Sequence, residues 1–175
     1  MGIIANYKYL SDKNLKELKA FYSEENETLG EAKERNEDVE EVNSDVKTSL
    51  DLDKMWDVLH FVLTGASSSE PIKNNPFSEA VVGVSSIEGV EEFISYTEKS
   101  RVKDIVFALD HFDIEKAMEN FSMKECRKAN IYPDIWNYEE ETDEIKEELM
   151  DYFQKLKEFY KRILEVKGNV IVTIC

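Results

Sequence analysis

Glycine, cysteine and histidine are scarce in this sequence, and their scarcity excludes several classes of site. There are six glycines, two cysteines and two histidines among 175 residues. The phosphate-binding patterns GxGxxG and GxxxxGK(S/T) are absent, as are the hydrolase pattern GxSxG and the calcium pattern of EF-hand loops. We therefore expect no nucleotide-dependent enzyme, no cofactor and no metal site.

Long apolar runs are also missing. No stretch approaches the roughly 20 apolar residues that a helix needs to span a bilayer. The first residues lack a basic region followed by an apolar core, so we expect no signal peptide. Cys126 and Cys175 fit no zinc-binding spacing and are expected to be reduced thiols. Together these features indicate a cytoplasmic protein.

Basic residues are outnumbered by acidic ones, 22 to 38, which gives a net charge of −16. A surface of this sign repels nucleic-acid phosphates and anionic lipids. We therefore expect no nucleic-acid and no membrane partner, whereas a basic protein would be attracted. The charge is densest at about 24–47, which holds ten acidic and three basic residues. We interpret this stretch as a solvated helix or a mobile acidic segment.

The strongest helical pattern runs from Ser49 to Gly65. Either Ser49 or Asp51 is expected to cap its start, and Gly65 to end it in the left-handed conformation. The apolar residues recur at helical spacing and so define one arc that faces a core. This arc consists of Leu52, Met55, Trp56, Leu59, Val62 and Leu63.

The same stretch carries a polar arc made of Asp53, Asp57, His60 and Thr64. A carboxylate one helical turn from an imidazole is the arrangement that orients a general base. The arc is followed by a loop, ASSSEPIKNNP, whose serines Ser67–Ser69 would lie near the end of the helix. Two interpretations stay open: a binding or catalytic site, or simply the solvent-facing side of an amphipathic helix.

The remaining elements predict an α+β fold. Gly2–Leu10 and Asn169–Cys175 are expected to be strands, with the second in the middle of a sheet, and Phe93–Thr97 is the best candidate for a further strand. Helices are predicted over about 77–82 and 142–166, and also after four capping residues, Ser11, Thr97, Asp113 and Ser122. We expect a single domain, residues 1–175, in which a small sheet including the N- and C-terminal strands packs against several helices.

An aromatic group surrounds the only proline in the second half of the chain. Tyr132, Trp136 and Tyr138 flank Pro133, which forces a bend. Aromatic side chains with one polar end are common at interfaces, so this group could form a binding lip. Alternatively, Tyr132 and Trp136 anchor the bend to the core.

Four blocks of this sequence resemble the YfbM-like family of bacterial proteins, DUF1877. They are the N-terminal MGIIANY, LDLDKMWDVLHFVLTG of the central stretch, PFSEAVVG at 76–83 and IYPDIW at 131–136. Because they are spread over almost the whole chain, the likeness is to an entire domain. It implies a compact cytosolic domain of mixed α and β structure. It brings no activity, since none is established for the family.

Two functional hypotheses follow. The first is a non-enzymatic cytosolic binding or interaction domain whose acidic surface engages a basic protein or a second copy of the chain. The alternative is a small-molecule-binding or hydrolase-like site around the central helix and the serine-rich loop. The candidate binding residues are Trp56, Asp57, His60, Thr64, Ser67, Tyr132 and Trp136.

Overall fold

The computed structural model describes residues 2–23 and 49–175. Within these ranges, five strands form one antiparallel sheet in the order β2-β1-β5-β4-β3. The elements are β1 (Ala5–Leu10), α1 (Asp12–Ser23), β2 (Ser49–Asp51), α2 (Trp56–Thr64), α3 (Pro76–Val82), β3 (Ser85–Ser86), β4 (Phe93–Thr97), α4 (Lys99–Asp110), α5 (Ile114–Glu119), α6 (Met123–Lys128), α7 (Thr142–Glu165) and β5 (Asn169–Ile174). The predicted α+β class is confirmed, and the predicted acidic segment lies outside the described residues.

The sheet is organised around β5, as its apolar sequence predicted. β5 pairs with β1 on one side and with β4 on the other, so that Val172 lies between Tyr7 and Ser95. All three side chains are buried. Side chains alternate across a strand, and the face that carries these residues therefore packs on the helices.

Two buried tyrosines fix α3 against this face. The Tyr7 hydroxyl donates to the carbonyl of Val81 at 2.5 Å, and the Tyr160 hydroxyl donates to the carbonyl of Ala80 at 2.7 Å. Burial raises the pKa of both phenols, which keeps them protonated and able to donate. Because β1 and α7 both hold the end of α3, the position of its first turn is also set.

The long helix α7 supplies much of the core. Its buried side chains follow helical spacing along one face and cover the sheet and α4. They are Ile145, Leu149, Phe153, Leu156, Phe159, Tyr160 and Ile163. Fully burying each such side chain stabilises the fold by about 1.5–3 kcal/mol relative to leaving it exposed. The helix predicted over about 142–166 is thus confirmed.

The predicted helix from Ser49 to Gly65 is correct only in its second half. Ser49–Asp51 pairs with β1 as a strand, and the carboxylate of Asp51 accepts the backbone N–H of Asp53 at 2.6 Å. Asp53 is left-handed, with φ 46°, and therefore ends the extended backbone in a turn before the helix begins at Trp56. Neither Ser49 nor Asp51 caps α2. The end is as predicted, because Gly65 has φ 78°.

The predicted caps are confirmed at three helices and wrong at the fourth. Ser11, Asp113 and Ser122 each accept a backbone N–H from the first turn of α1, α5 and α6. Thr97 instead belongs to β4, and its buried hydroxyl has no partner among the described residues. The Lys99 N–H at the start of α4 is accepted at 2.8 Å by the side chain of Asn169, which comes from β5. A residue 70 positions away thus does the capping.

The α-helices within the described residues are 6 to 24 residues long. None of those within 2–23 and 49–175 is both long and apolar enough to cross a membrane.

Candidate functional site

Asp57 connects three segments of the chain. It lies in the first turn of α2 and is only 4% exposed. Its Oδ1 accepts the N–H and the hydroxyl of Ser68, both at 2.7 Å, and the hydroxyl of Ser67 at 3.2 Å. Its Oδ2 accepts the backbone N–H of Tyr132 at 2.8 Å. Four donors satisfy the buried charge and tie α2 to the serine-rich loop and to the segment at 131–136.

His60 makes a second connection one turn further along α2. The imidazole is completely buried, with Nδ1 2.7 Å from the carbonyl of Ala66 and Nε2 2.8 Å from the hydroxyl of Ser78. Because a carbonyl only accepts, Nδ1 carries the proton and Nε2 accepts from Ser78. The Ser78 oxygen also accepts the N–H of Ile72 at 3.0 Å. This pair joins α2, the loop and α3.

Thr64 completes the turn that follows α2. Its hydroxyl donates to the carbonyl of His60 at 2.7 Å and accepts the N–H of Ala66 at 3.1 Å. The second bond holds Ala66 in the position where its carbonyl meets the His60 ring. Thr64 is therefore a support for the His60 contact.

The hydrogen bond from Ser78 to His60 has the form of a nucleophile and its general base. Access is the obstacle, since Ser78 is 1% exposed and His60 is 0% exposed. Burial also lowers the pKa of His60, because the charged imidazolium would lose its hydration, and this outweighs the opposing effects of the Ala66 carbonyl and Asp57. A neutral ring suits its role as acceptor. The predicted serine, Ser67, bonds to Asp57 and not to His60.

The interpretation of the polar arc as a solvent-facing side is wrong. Asp57 and His60 are buried, Thr64 is half-buried, and Asp53 precedes the helix. Asp57, His60 and Thr64 face the loop at 66–75 and α3, which cover them, whereas Asp53 is exposed. A hydrophobicity pattern records only which residues are polar, so a polar face covered by another polar segment cannot be told from one covered by water.

Trp56 and Tyr132, both candidate binding residues, do come together. Their ring centroids are 5.8 Å apart, and the two side chains hold the same backbone unit. The indole N–H donates to the carbonyl of Ile3 at 3.0 Å, and the Tyr132 hydroxyl accepts the N–H of Ile3 at 2.8 Å. The pair therefore clamps the segment before β1 at the surface.

Trp136 lies apart from them. It is 2% exposed, and its indole N–H donates to the carbonyl of Ile131 at 2.7 Å. Its ring contacts Phe121 edge to face, with centroids 6.3 Å apart. Trp136 thus anchors the bend to the core, while Tyr138 is 53% exposed.

A groove of about 510 Å³ opens beside Tyr132. Its floor is apolar and is formed by Met55, Pro133 and Ile135. Its rim carries one lysine, Lys54, and three carboxylates. The carboxylates are those of Asp53, Asp134 and Glu148, and we call this feature the acidic groove.

The carboxylates of the acidic groove are exposed, whereas that of Asp57 is buried and accepts four hydrogen bonds. Within the described ranges none of the three groove carboxylates forms an ion pair. The ion pairs found in the described parts of the chain involve other acidic residues. Burial and the neighbouring charges of Asp53 and Asp151 raise the pKa of Glu148. Negative charge is therefore concentrated at this rim.

The residues that sequence reasoning missed are Ser78, Asp134 and Glu148. Ser78 meets His60 across 18 positions, through a loop whose course no local pattern gives. Glu148 lies among many acidic residues on the polar side of α7, and Asp134 belongs to the bend at 131–136. Nothing in the sequence distinguishes these carboxylates from other exposed ones.

Comparisons with known proteins agree with this fold. The model of the family described as a domain of unknown function, DUF1877, matches residues 1–173. The chain therefore belongs to that family, as the four sequence blocks predicted.

One particular relative, YfbM, matches both in sequence and as a solved structure. Protein YfbM of Escherichia coli (strain K12) is 36% identical over 126 residues, which is 71% of this chain and 75% of that protein. The crystal structure of the protein of unknown function YfbM from Escherichia coli matches with a TM-score of 0.73 and 25% identity. That match covers 98% of this chain and 99% of the other.

Proposed function

We propose that this chain is a non-enzymatic, cytoplasmic binding domain whose acidic groove takes a lysine or arginine side chain of a basic protein partner. The observation that carries the proposal is the acidic groove itself, with three carboxylates above an apolar floor in a chain of net charge −16. The distribution of charge on the rim defines the chemistry of the partner.

The apolar floor of the groove matches the aliphatic stem of a lysine or arginine side chain, and the acidic rim matches its charged head. Lysine and arginine have long aliphatic stems that cover apolar surface while their charged heads stay polar. Met55 and Ile135 offer such a surface, and Asp53 and Glu148 would accept charge-assisted hydrogen bonds from the head. A bound cation would also relieve the repulsion that raises the pKa of Glu148.

The net charge supports the same class of partner at longer range. A field of this sign accelerates the approach of a basic protein and slows that of an acidic one. The burial of His60 and Ser78 supports a binding role over a hydrolase-like one, because neither side chain is exposed to a substrate at the surface. The hydrolase-like alternative has only the Ser78–His60 hydrogen bond in its favour.

The proposal is tested by titrating the protein with short peptides while following its backbone amides by NMR. The probes are a blocked Gly-Lys-Gly peptide, its arginine counterpart and a Gly-Gln-Gly control at low salt. We expect the cationic peptides to shift amides near Asp53, Tyr132, Ile135 and Glu148, and the effect to weaken with added salt.

Matched variants separate this groove from the general charge. The triple change Asp53→Asn, Asp134→Asn and Glu148→Gln should weaken binding about tenfold, as expected for losing charge-assisted contacts. The control changes Glu70, Glu91 and Glu92 to Gln, removing the same charge from exposed loop positions. If both variants bind equally, or if the shifts are scattered over the surface, the proposal is wrong.

A further inference from the structure

A second groove, of about 550 Å³, lies between the first turn of α3 and one side of α4, and it continues along the turn that follows α4. Its walls are Phe77, Phe107, His111 and Phe112, and we call it the aromatic groove. Phe107 is 65% exposed, which is unusual for so large an apolar side chain. This surface shares no residue with the acidic groove.

The aromatic groove is held in shape by the residues beneath and beside it. The His111 ring stacks on Phe107 with centroids 4.2 Å apart, and its Nδ1–H donates to the Phe107 carbonyl at 2.8 Å. Phe77 contacts Phe112 edge to face at 5.4 Å, and Phe112 contacts Phe153 of the core at 5.6 Å. A preformed surface loses little conformational entropy when a partner binds.

The charges around the aromatic groove determine the sign of its occupant. Arg101 donates to both carboxylate oxygens of Glu79 and to Asp104 at 2.9 Å, so its charge is already more than balanced. Asp104 remains exposed, and Asp113 adds a further negative charge at the end of the groove. An anionic ligand would be repelled and a cationic one attracted.

We propose that the aromatic groove is a docking surface for a basic amphipathic helix of a protein partner. An apolar side chain of that helix would pack against Phe107 and Phe112, and basic side chains on either side of it would pair with Asp104 and Asp113. Phe107 would be the main contributor, since exposed aromatic residues in preformed pockets dominate binding energy. The proposal does not depend on the acidic groove.

The test measures binding of a fluorescent, amphipathic leucine–lysine peptide of about 18 residues, long enough to form a helix. A leucine–glutamate peptide with the same apolar pattern is the charge control. We expect Phe107→Ala to weaken binding of the leucine–lysine peptide about tenfold. The control is Leu164→Ala, which changes an exposed apolar residue on a different helix, α7. It should change the affinity for this peptide by less than about twofold.

A second variant, Asp104→Lys, tests the charge argument while leaving Phe107 in place. This variant should bind the leucine–lysine peptide more weakly and the leucine–glutamate peptide more tightly than the unmodified protein does. In the background of the acidic-groove triple variant, Phe107→Ala should still weaken binding of the leucine–lysine peptide more than Leu164→Ala does. This result would separate the present proposal from the previous one. Equal binding by the Phe107 and Leu164 variants would falsify the proposal, as would tight binding of the leucine–glutamate peptide by the unmodified protein.

Discussion

The buried network around Asp57 and the acidic groove both adjoin Tyr132, and both contain carboxylates. In the network, the Asp57 carboxylate accepts four hydrogen bonds and is 4% exposed. In the groove, Asp53, Asp134 and Glu148 are exposed and form no ion pair within the described ranges. One set of charges is already satisfied by the protein and the other is available to a partner.

This difference shows that the composition of a polar cluster does not decide whether it can bind a partner. What decides it is whether its donors and acceptors are already used within the fold. Asp57 and His60 form the pattern that suggests catalysis, a carboxylate and an imidazole one helical turn apart. Their hydrogen bonds are used within the fold, so they hold the molecule together. The groove has the simpler residues, and its unmet charge makes it the better candidate for binding.

The largest effect is expected from Asp57→Ala. The change leaves four partly buried donors without their acceptor, so the free energy of unfolding should fall by about 3–5 kcal/mol. Urea denaturation followed by circular dichroism measures it. Asp134→Ala, at the exposed rim, is the matched control and should cost less than about 0.5 kcal/mol. Equal losses from the two variants would contradict the contrast between network and groove.

A smaller effect is expected from pH, through His60. Burial lowers its pKa in the folded protein below the ordinary value of 6.5, so the unfolded chain takes up a proton more readily. Stability should therefore be full above about pH 6.5 and fall as the pH decreases toward the folded pKa, by at most about 1.4 kcal/mol per pH unit. Unfolding at a series of pH values measures this slope.

The variant His60→Gln provides the control for the pH experiment. Glutamine keeps a donor and an acceptor but does not titrate, so the part of the slope that belongs to His60 should disappear. A slope that persists unchanged in this variant would show that other groups, and not the buried imidazole, determine the pH dependence.

The smallest effect is expected from Glu148→Gln in the acidic groove. Because partial burial of its carboxyl group and the neighbouring acids raise the pKa of Glu148, its ionised form costs stability at neutral pH. Removing the charge should increase the free energy of unfolding by no more than about 0.5 kcal/mol, since solvent screens an exposed group. Glu147→Gln on the same helix is the control. A loss of stability in Glu148→Gln would indicate that the glutamate has a partner in the fold.

Much of the fold was decided by local chemistry that the sequence displays. The apolar spacing of α7, the mainly apolar run of β5 and the left-handed Gly65 each act over a few residues. The caps at Asp113 and Ser122 likewise involve a side chain and a backbone N–H three positions away. Such features are predictable because the interacting groups are neighbours in the chain.

Only the tertiary structure decided the rest, because the interacting groups are distant in sequence. Ser49–Asp51 is a strand since β1 offers it backbone partners, and α4 is capped by Asn169 in place of Thr97. The Ser78–His60 bond and the grouping of Asp53 with Glu148 arise in the same way. The sequence by itself determined which residues are apolar, charged or helix-ending. The packing of distant segments determined which polar groups are satisfied inside the molecule and which remain for a partner.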